Sequence, residues 1–195
     1  MTRVALLRHY PTDWNRERRL QGQIDRPLTG DAREALSALA LPPAWAGARV
    51  VTSTLSRTID TARLLAPGQP IDQDARLVEI AWGAWEGKRA ADLLADPASG
   101  FVPTGDMRWD ARPPGGESMA DAWARIQPAL AEIAAGPPAV LVSHKAVMRV
   151  ILGFAMNWRL PEGGVEIKRG RLYPLSLRPG GMPMAPEPAE RLVPR

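Results

Sequence analysis

The sequence predicts an α/β fold, a three-layer α/β/α sandwich around a mostly parallel central sheet. Two observations carry that prediction. Apolar runs that read as strands buried on both faces occur at Val4, Ala5, Leu6 and Leu7 and again at Ala139, Val140, Leu141 and Val142. Segments with apolar residues at helical spacing alternate with such runs along the chain. A third observation locates the working edge of the sheet. The chain has two histidines, and each closes one of these runs, His9 after Arg8 and His144 after Ser143. In open α/β sheets ligands bind just beyond the carboxyl ends of the strands, so both imidazoles are expected at one cleft.

The elements follow in order. Residues 10–27 form a polar, arginine-rich loop. Thr29 reads as the N-cap of a helix with Ala32, Ala35, Leu36, Leu39 and Ala40 on one stripe, stopped by Pro42 and Pro43. Residues 48–52 make a second strand and residues 56–65 a second helix. Residues 96–116, rich in proline, glycine and polar side chains, read as a surface excursion or lid. Ser118 with Asp121 three residues on is a capping signal. The helix it opens places Met119, Ala122, Trp123, Ile126, Leu130 and Ile133 at helical spacing, and Pro128 is expected to kink it or bend its solvent side. A further helix runs from His144 to about Met156, and residues 165–177 are expected to form a final pair of short strands. From Pro179 there are five prolines in 17 residues. The domain is therefore set at residues 1–178, with a flexible, proline-rich tail at 179–195. Its close, Leu192-Val193-Pro194-Arg195, matches either a protease-tag remnant or a native end.

Composition narrows the function. A chain of 195 residues with 45% hydrophobic content suits one domain with a sizeable core. No apolar stretch is long enough to span a bilayer. The first strand begins within three residues, leaving no room for a signal peptide, and cysteine is absent, so a cytoplasmic location is expected. The net charge of +4 is moderate, and basic residues are interleaved with acids, as in Arg16-Glu17-Arg18-Arg19. That pattern argues against nucleic acid as a partner and leaves a small anionic substrate as the reason for an arginine-rich cleft. Histidine and cysteine are too few for zinc, and no spaced acidic cluster marks magnesium, so neither metal nor cofactor is expected.

The motifs are Leu7-Arg8-His9-Tyr10-Pro11-Thr12-Asp13-Trp14-Asn15, Gln21-Gly22 with Asp25-Arg26-Pro27-Leu28-Thr29, Ser53-Thr54-Leu55-Ser56-Arg57-Thr58 with Thr61-Ala62, Leu77-Val78-Glu79-Ile80 with Gly83-Ala84-Trp85-Glu86-Gly87, Gly116-Glu117-Ser118, and Val142-Ser143-His144. Six blocks in this order, spanning residues 2–177, resemble the histidine phosphatase superfamily with its phosphoglycerate mutase-like fold. The resemblance implies a catalytic domain in which His9 is the nucleophile and carries phosphohistidine. It implies that Arg8 and Arg57 clamp the transferring phosphoryl group, which suits the two-pronged guanidinium. His144 would hold an equatorial oxygen, aided by the helix it opens. Glu79 would be the general acid, set among Trp82 and Trp85, with Glu86 in the same block better suited to tying down a loop. Asn15, Gln21 and Gly22 would line the phosphate or substrate pocket.

Two positions depart from the family pattern. Tyr10 and Lys145 follow the histidines where small residues, most often glycine, are usual. Tyr10 either narrows the cleft or packs outward. Lys145 adds positive charge at the cleft mouth and would favour a substrate with a second anionic group. The expected function is hydrolysis of a small soluble phosphomonoester. Mutase-type phosphoryl transfer is the nearest alternative, disfavoured by the short stretch between Gly87 and Gly116, and a non-catalytic phosphate-binding member is the other.

Overall fold

The structure is a computed structural model that describes residues 1–103, 106–157 and 166–195. The chain runs β1 (Thr2–Arg8), α1 (Asp13–Arg16), α2 (Gly30–Ser37), β2 (Leu39–Ala40), β3 (Arg49–Thr52), α3 (Ser56–Leu65), β4 (Ile71–Gln73), α4 (Ala90–Ala95), α5 (Met119–Ala134), β5 (Ala139–Ser143), α6 (Lys145–Ala155), β6 (Arg171–Leu177), β7 (Glu190–Arg191) and β8 (Val193–Pro194). The main sheet has the order β4-β3-β5-β1-β6-β7. Strands β4, β3, β5 and β1 are parallel, and β6 closes the mixed sheet antiparallel to β1.

Strand alternation divides the core in two. Val4, Leu6, Ala139 and Leu141 face α5 and α6, where Ile126, Leu130, Val147 and Ile151 are buried. Ala5, Leu7, Val140 and Val142 face α2 and α3, where Leu36, Ala62 and Leu65 are buried. Both faces of β1 and β5 are thus covered, which is why neither run contains the polar alternation of a half-exposed strand. The three-layer α/β arrangement with a mostly parallel centre is as the sequence predicts.

Local capping follows the sequence in places. Ser118 and Asp121 form a reciprocal capping box at the start of α5. That helix continues through Pro128, which stands on its exposed side together with Ala124, so the carbonyl that the proline leaves without a helical donor faces solvent. Thr29 occupies the N-cap of α2 but makes no side-chain capping bond.

Three expectations need correction. Helix α2 stops at Ser37, before the two prolines, and Leu39 and Ala40 are extended, paired with Pro194 and Val193. The last strands are not a hairpin of residues 165–177: β6 is one strand, and its antiparallel neighbour β7 comes from the tail, while residue 165 lies outside the described residues. The tail itself is docked at its end. Leu192 is buried in the α2–α3 core, the Trp45 indole donates to Glu190 at 3.2 Å, and Arg3 lies over the Trp45 ring while pairing with Glu187 and Glu190. A proline-rich composition removes local periodicity, yet edge strands tolerate proline, so composition alone did not reveal the docking. Residues 104–105 of the expected lid also lie outside the described residues.

Deleting residues 190–195 should lower unfolding stability by roughly 2–4 kcal/mol, the worth of burying Leu192 and covering Trp45. A urea titration checks this, and an unchanged midpoint would mean that the tail end contributes nothing. Among the described residues no helix is long and apolar enough to cross a membrane.

Candidate active site

Parallel pairing of β1 with β5 sets Arg8 opposite Ser143, so both strands end at the same edge. The His9 backbone N–H donates to Ser143 O at 3.0 Å, and the His9 and His144 ring centroids lie 5.4 Å apart. Both rings are buried. His9 Nδ1 lies 2.7 Å from the Tyr10 carbonyl oxygen, which can only accept. The proton therefore resides on Nδ1 and the lone pair on Nε2. His144 Nε2 lies 2.8 Å from Ser53 Oγ, which in turn contacts Thr58 Oγ1 at 2.9 Å. Burial, and then the nearby Arg57 charge, hold both imidazoles well below the usual histidine range, so both are neutral at pH 7.

Arg57, in the first turn of α3, is fully buried and donates to Gly22 O at 2.6 Å and Ile24 O at 3.1 Å. The segment carrying those carbonyls is tied from other directions too. Glu86 Oε1 accepts from the N–H groups of Gly22 at 3.1 Å and Ile24 at 2.5 Å, which is the loop-tying place read for Glu86. Asp25 accepts from Ser56 N and Oγ, each at 3.0 Å, and so caps α3 from a distance. Gly22 is required by close approach, because a Cβ there would stand 2.7 Å from Ile80 O. Gln21 Oε1 accepts from Thr12 Oγ1 at 2.9 Å and Asn15 Nδ2 at 3.2 Å.

Several buried polar atoms at this edge have no partner among the described residues: Arg8 Nε, Arg57 Nε, Gln21 Nε2 and His144 Nδ1. Leaving a buried donor unpaired costs about 1–3 kcal/mol, so a group of them at one edge fits a place built to receive an anion.

Glu79 is buried and accepts three backbone bonds: from Ile80 N at 3.0 Å and Val147 N at 3.2 Å on Oε1, and from Ala146 N at 3.2 Å on Oε2. It thereby caps the open N-terminus of α6. Burial raises its pKa, and the backbone donors and Arg57 oppose that rise without cancelling it. Trp82 stands beside it in the cleft wall, whereas the Trp85 indole donates to Ser99 O at 2.9 Å and meets Phe101 edge-on.

The cleft has a volume of about 270 Å³, and Arg8, His9, Asn15, Gln21 and Glu79 all line it. Arg57, His144 and Gly22 are buried and do not line it as it stands. Tyr10 does not line the cleft; it is partly buried against the α2–α3 core, with its backbone N–H donating to Thr61 Oγ1 at 3.1 Å. Sequence reasoning missed Arg169, whose Nε donates to His9 O at 3.1 Å and whose Nη2 donates to Asn15 Oδ1 at 2.7 Å. It also missed Arg149 in the lining, four residues beyond Lys145 on α6, a spacing that could have flagged it. Among the described residues no group of three or more histidine, cysteine, aspartate or glutamate side chains could hold a metal ion.

A family model described as the histidine phosphatase superfamily (branch 1) matches residues 4–183. The chain belongs to the histidine phosphatase superfamily. Within it, the chain is 40% identical over 151 residues to a probable phosphoglycerate mutase GpmB of Enterobacter sp. (strain 638), covering 74% of the chain and 70% of that protein. Identity to the protein of the same description in Salmonella paratyphi C is 38% over 153 residues, with the same coverage. Among solved structures, Bacillus stearothermophilus YhfR superposes with a TM-score of 0.78 at 29% identity, covering 95% of each chain. The mycobacterial glucosyl-3-phosphoglycerate phosphatase in complex with VO3 gives 0.75 at 29% identity, covering 90% of this chain and 93% of that one. Its complex with inorganic phosphate gives 0.76 at 26% identity, covering 99% and 96%. The superfamily's phosphoglycerate mutase-like fold is thus the fold of this protein.

Proposed function

We propose that the protein is a phosphatase that hydrolyses a small phosphomonoester through a phosphohistidine on His9. The observation that carries this reading is the pair of neutral, buried imidazoles at adjacent strand ends, surrounded by guanidinium and amide donors that have no partner among the described residues. His9 Nε2 attacks phosphorus while the bond to the ester oxygen breaks, and Glu79 gives that oxygen its proton. Water then attacks phosphorus and the P–N bond breaks, with Glu79 taking the proton, so inorganic phosphate leaves and His9 is restored. Arg8 and Arg57 bind the phosphoryl oxygens. In this reading the Ser53 hydroxyl, 2.8 Å from His144 Nε2, donates to that nitrogen, which makes Nδ1 the donor to a third oxygen. Gln21 turns its unpartnered amide nitrogen to the same group, Asn15 lines the cleft with one Nδ2 hydrogen left for the ligand after its bond to Gln21 Oε1, and Gly22 holds the loop, its N–H and carbonyl being engaged by Glu86 and Arg57.

Release of phosphate from p-nitrophenyl phosphate, unaffected by a chelator, tests the reading; no turnover of any phosphomonoester would end it. The names of the curated relatives favour a second reading, mutase-type transfer. Supplying 3-phosphoglycerate separates the two, since a phosphatase liberates phosphate and a mutase yields the 2-phospho isomer.

Replacing Glu79 with glutamine should lower kcat/KM for an alkyl phosphate by about a hundredfold to ten-thousandfold, and for p-nitrophenyl phosphate far less, because nitrophenolate needs no proton to leave. The pH dependence follows from the same groups. The Glu79 pKa is raised, so the rate on alkyl esters falls as pH rises through it. The His9 pKa is lowered, so the acid limb lies below pH 6.5. Equal losses on both ester types would remove Glu79 from the role of acid.

A further inference from the structure

We infer that the cleft contains a second anion site beside the phosphoryl pocket, formed by Lys145 and Arg169, and that the substrate is a phosphomonoester bearing a further carboxylate or phosphate a few bonds away. This deepens the phosphatase reading and rests on it for the phosphoryl end.

Among the described residues the cleft lining includes six cationic side chains, Arg8, Arg18, Arg19, Lys145, Arg149 and Arg169, against one carboxylate, Glu79. A phosphoryl group engaged by Arg8 and by the buried Arg57 does not account for the others. Arg19 is matched locally, since it pairs with Glu17 at 2.5 Å. Lys145 and Arg169 are not matched in this way: among the described residues neither has a carboxylate within ion-pair distance. Both acceptors of Arg169, the His9 carbonyl and the Asn15 side-chain oxygen, are neutral, so they orient the guanidinium and leave its charge intact.

The two cations approach from different elements. Lys145 is the first residue of α6, directly after His144, and is exposed. Arg169 precedes β6 and is fastened to the backbone of His9. They repel one another. Partial desolvation at the cleft first, then Arg8, Arg149 and Arg169, lower the Lys145 pKa, and burial with Arg8 brings Arg169 down to about 10. Like charges gathered in a partly desolvated cleft oppose folding, and an anion lodged between them removes that penalty. The spacing limits the ligand. Lys145 and Arg169 adjoin the two histidines, and a cleft of about 270 Å³ admits a small molecule only.

Calorimetric titration of the whole protein with three non-hydrolysable probes tests this: propylphosphonate, 3-phosphonopropionate and propane-1,3-bisphosphonate. One or both dianionic-ended probes should bind about tenfold or more tighter than propylphosphonate, and the tighter of the two names the second group. Lys145→Met and Arg169→Gln should each cut that advantage at least about threefold. Lys145→Met alters an exposed side chain, so its result stands even if Arg169→Gln disturbs the His9 loop. Equal affinity for all three probes in the wild type, or an advantage that survives both substitutions, would overturn the proposal. Because phosphonates are not turned over, failure here is distinct from failure to release phosphate from p-nitrophenyl phosphate, which would sink the phosphatase reading alone.

Discussion

His9→Ala should reduce kcat/KM for p-nitrophenyl phosphate by about ten-thousandfold or more while the protein stays folded and still binds phosphate. The imidazole supplies the one neutral lone pair aimed out of β1, since its Nδ1 proton is committed to Tyr10 O and burial with Arg57 prevents protonation at neutral pH. Without it the two-step covalent route closes, and direct attack by water has to proceed at the phosphoryl pocket with no nucleophile in place. Arg8, Arg57 and His144 remain, so ground-state affinity for the dianion is largely kept. The loss should therefore fall on kcat more than on KM. Steady-state kinetics beside circular dichroism of the variant check this. A variant retaining more than a tenth of wild-type turnover would place the nucleophile elsewhere.

Arg57→Ala should have two large effects at once. The guanidinium is fully buried and holds the carbonyls of Gly22 and Ile24, while Glu86 and Asp25 hold the same segment from its other sides. Alanine leaves a cavity and two carbonyls without their donors, at a cost of roughly 3–5 kcal/mol in unfolding stability. It also removes a fixed positive charge next to both imidazoles, for a loss of about a thousandfold in kcat/KM. Thermal unfolding reads the first effect and kinetics the second. Arg57→Lys keeps the charge but not the fork, so it should recover little of either. If alanine at this position changed stability by less than about 1 kcal/mol, the segment would not depend on Arg57.

The part of this fold that sequence made legible is the part in which local pattern and tertiary partner agree. Val4 to Leu7 and Ala139 to Val142 have no polar alternation because both faces are covered, and the histidines after them mark the ligand edge. Ser118 with Asp121 was legible because a capping box is local. Leu39 and Ala40 were not, because they are extended only by pairing with Val193 and Pro194, more than 150 residues later. Arg169 lies in a polar run, Lys168-Arg169-Gly170-Arg171, that reads as ordinary surface. Its contact with His9 O depends on β6 lying beside β1, which no spacing rule encodes. Lys145 was visible as a departure from the family pattern, but its companion cation was not.

The most direct test of the central claim is to trap the intermediate. The enzyme is mixed with a rapidly turned-over phosphomonoester, quenched in alkaline denaturant, digested and mapped by mass spectrometry. The account predicts one phosphoryl group, on the peptide containing His9 and absent from the His9→Ala protein. Phosphate on another residue, or hydrolysis with no phosphoenzyme at any quench time, would contradict it.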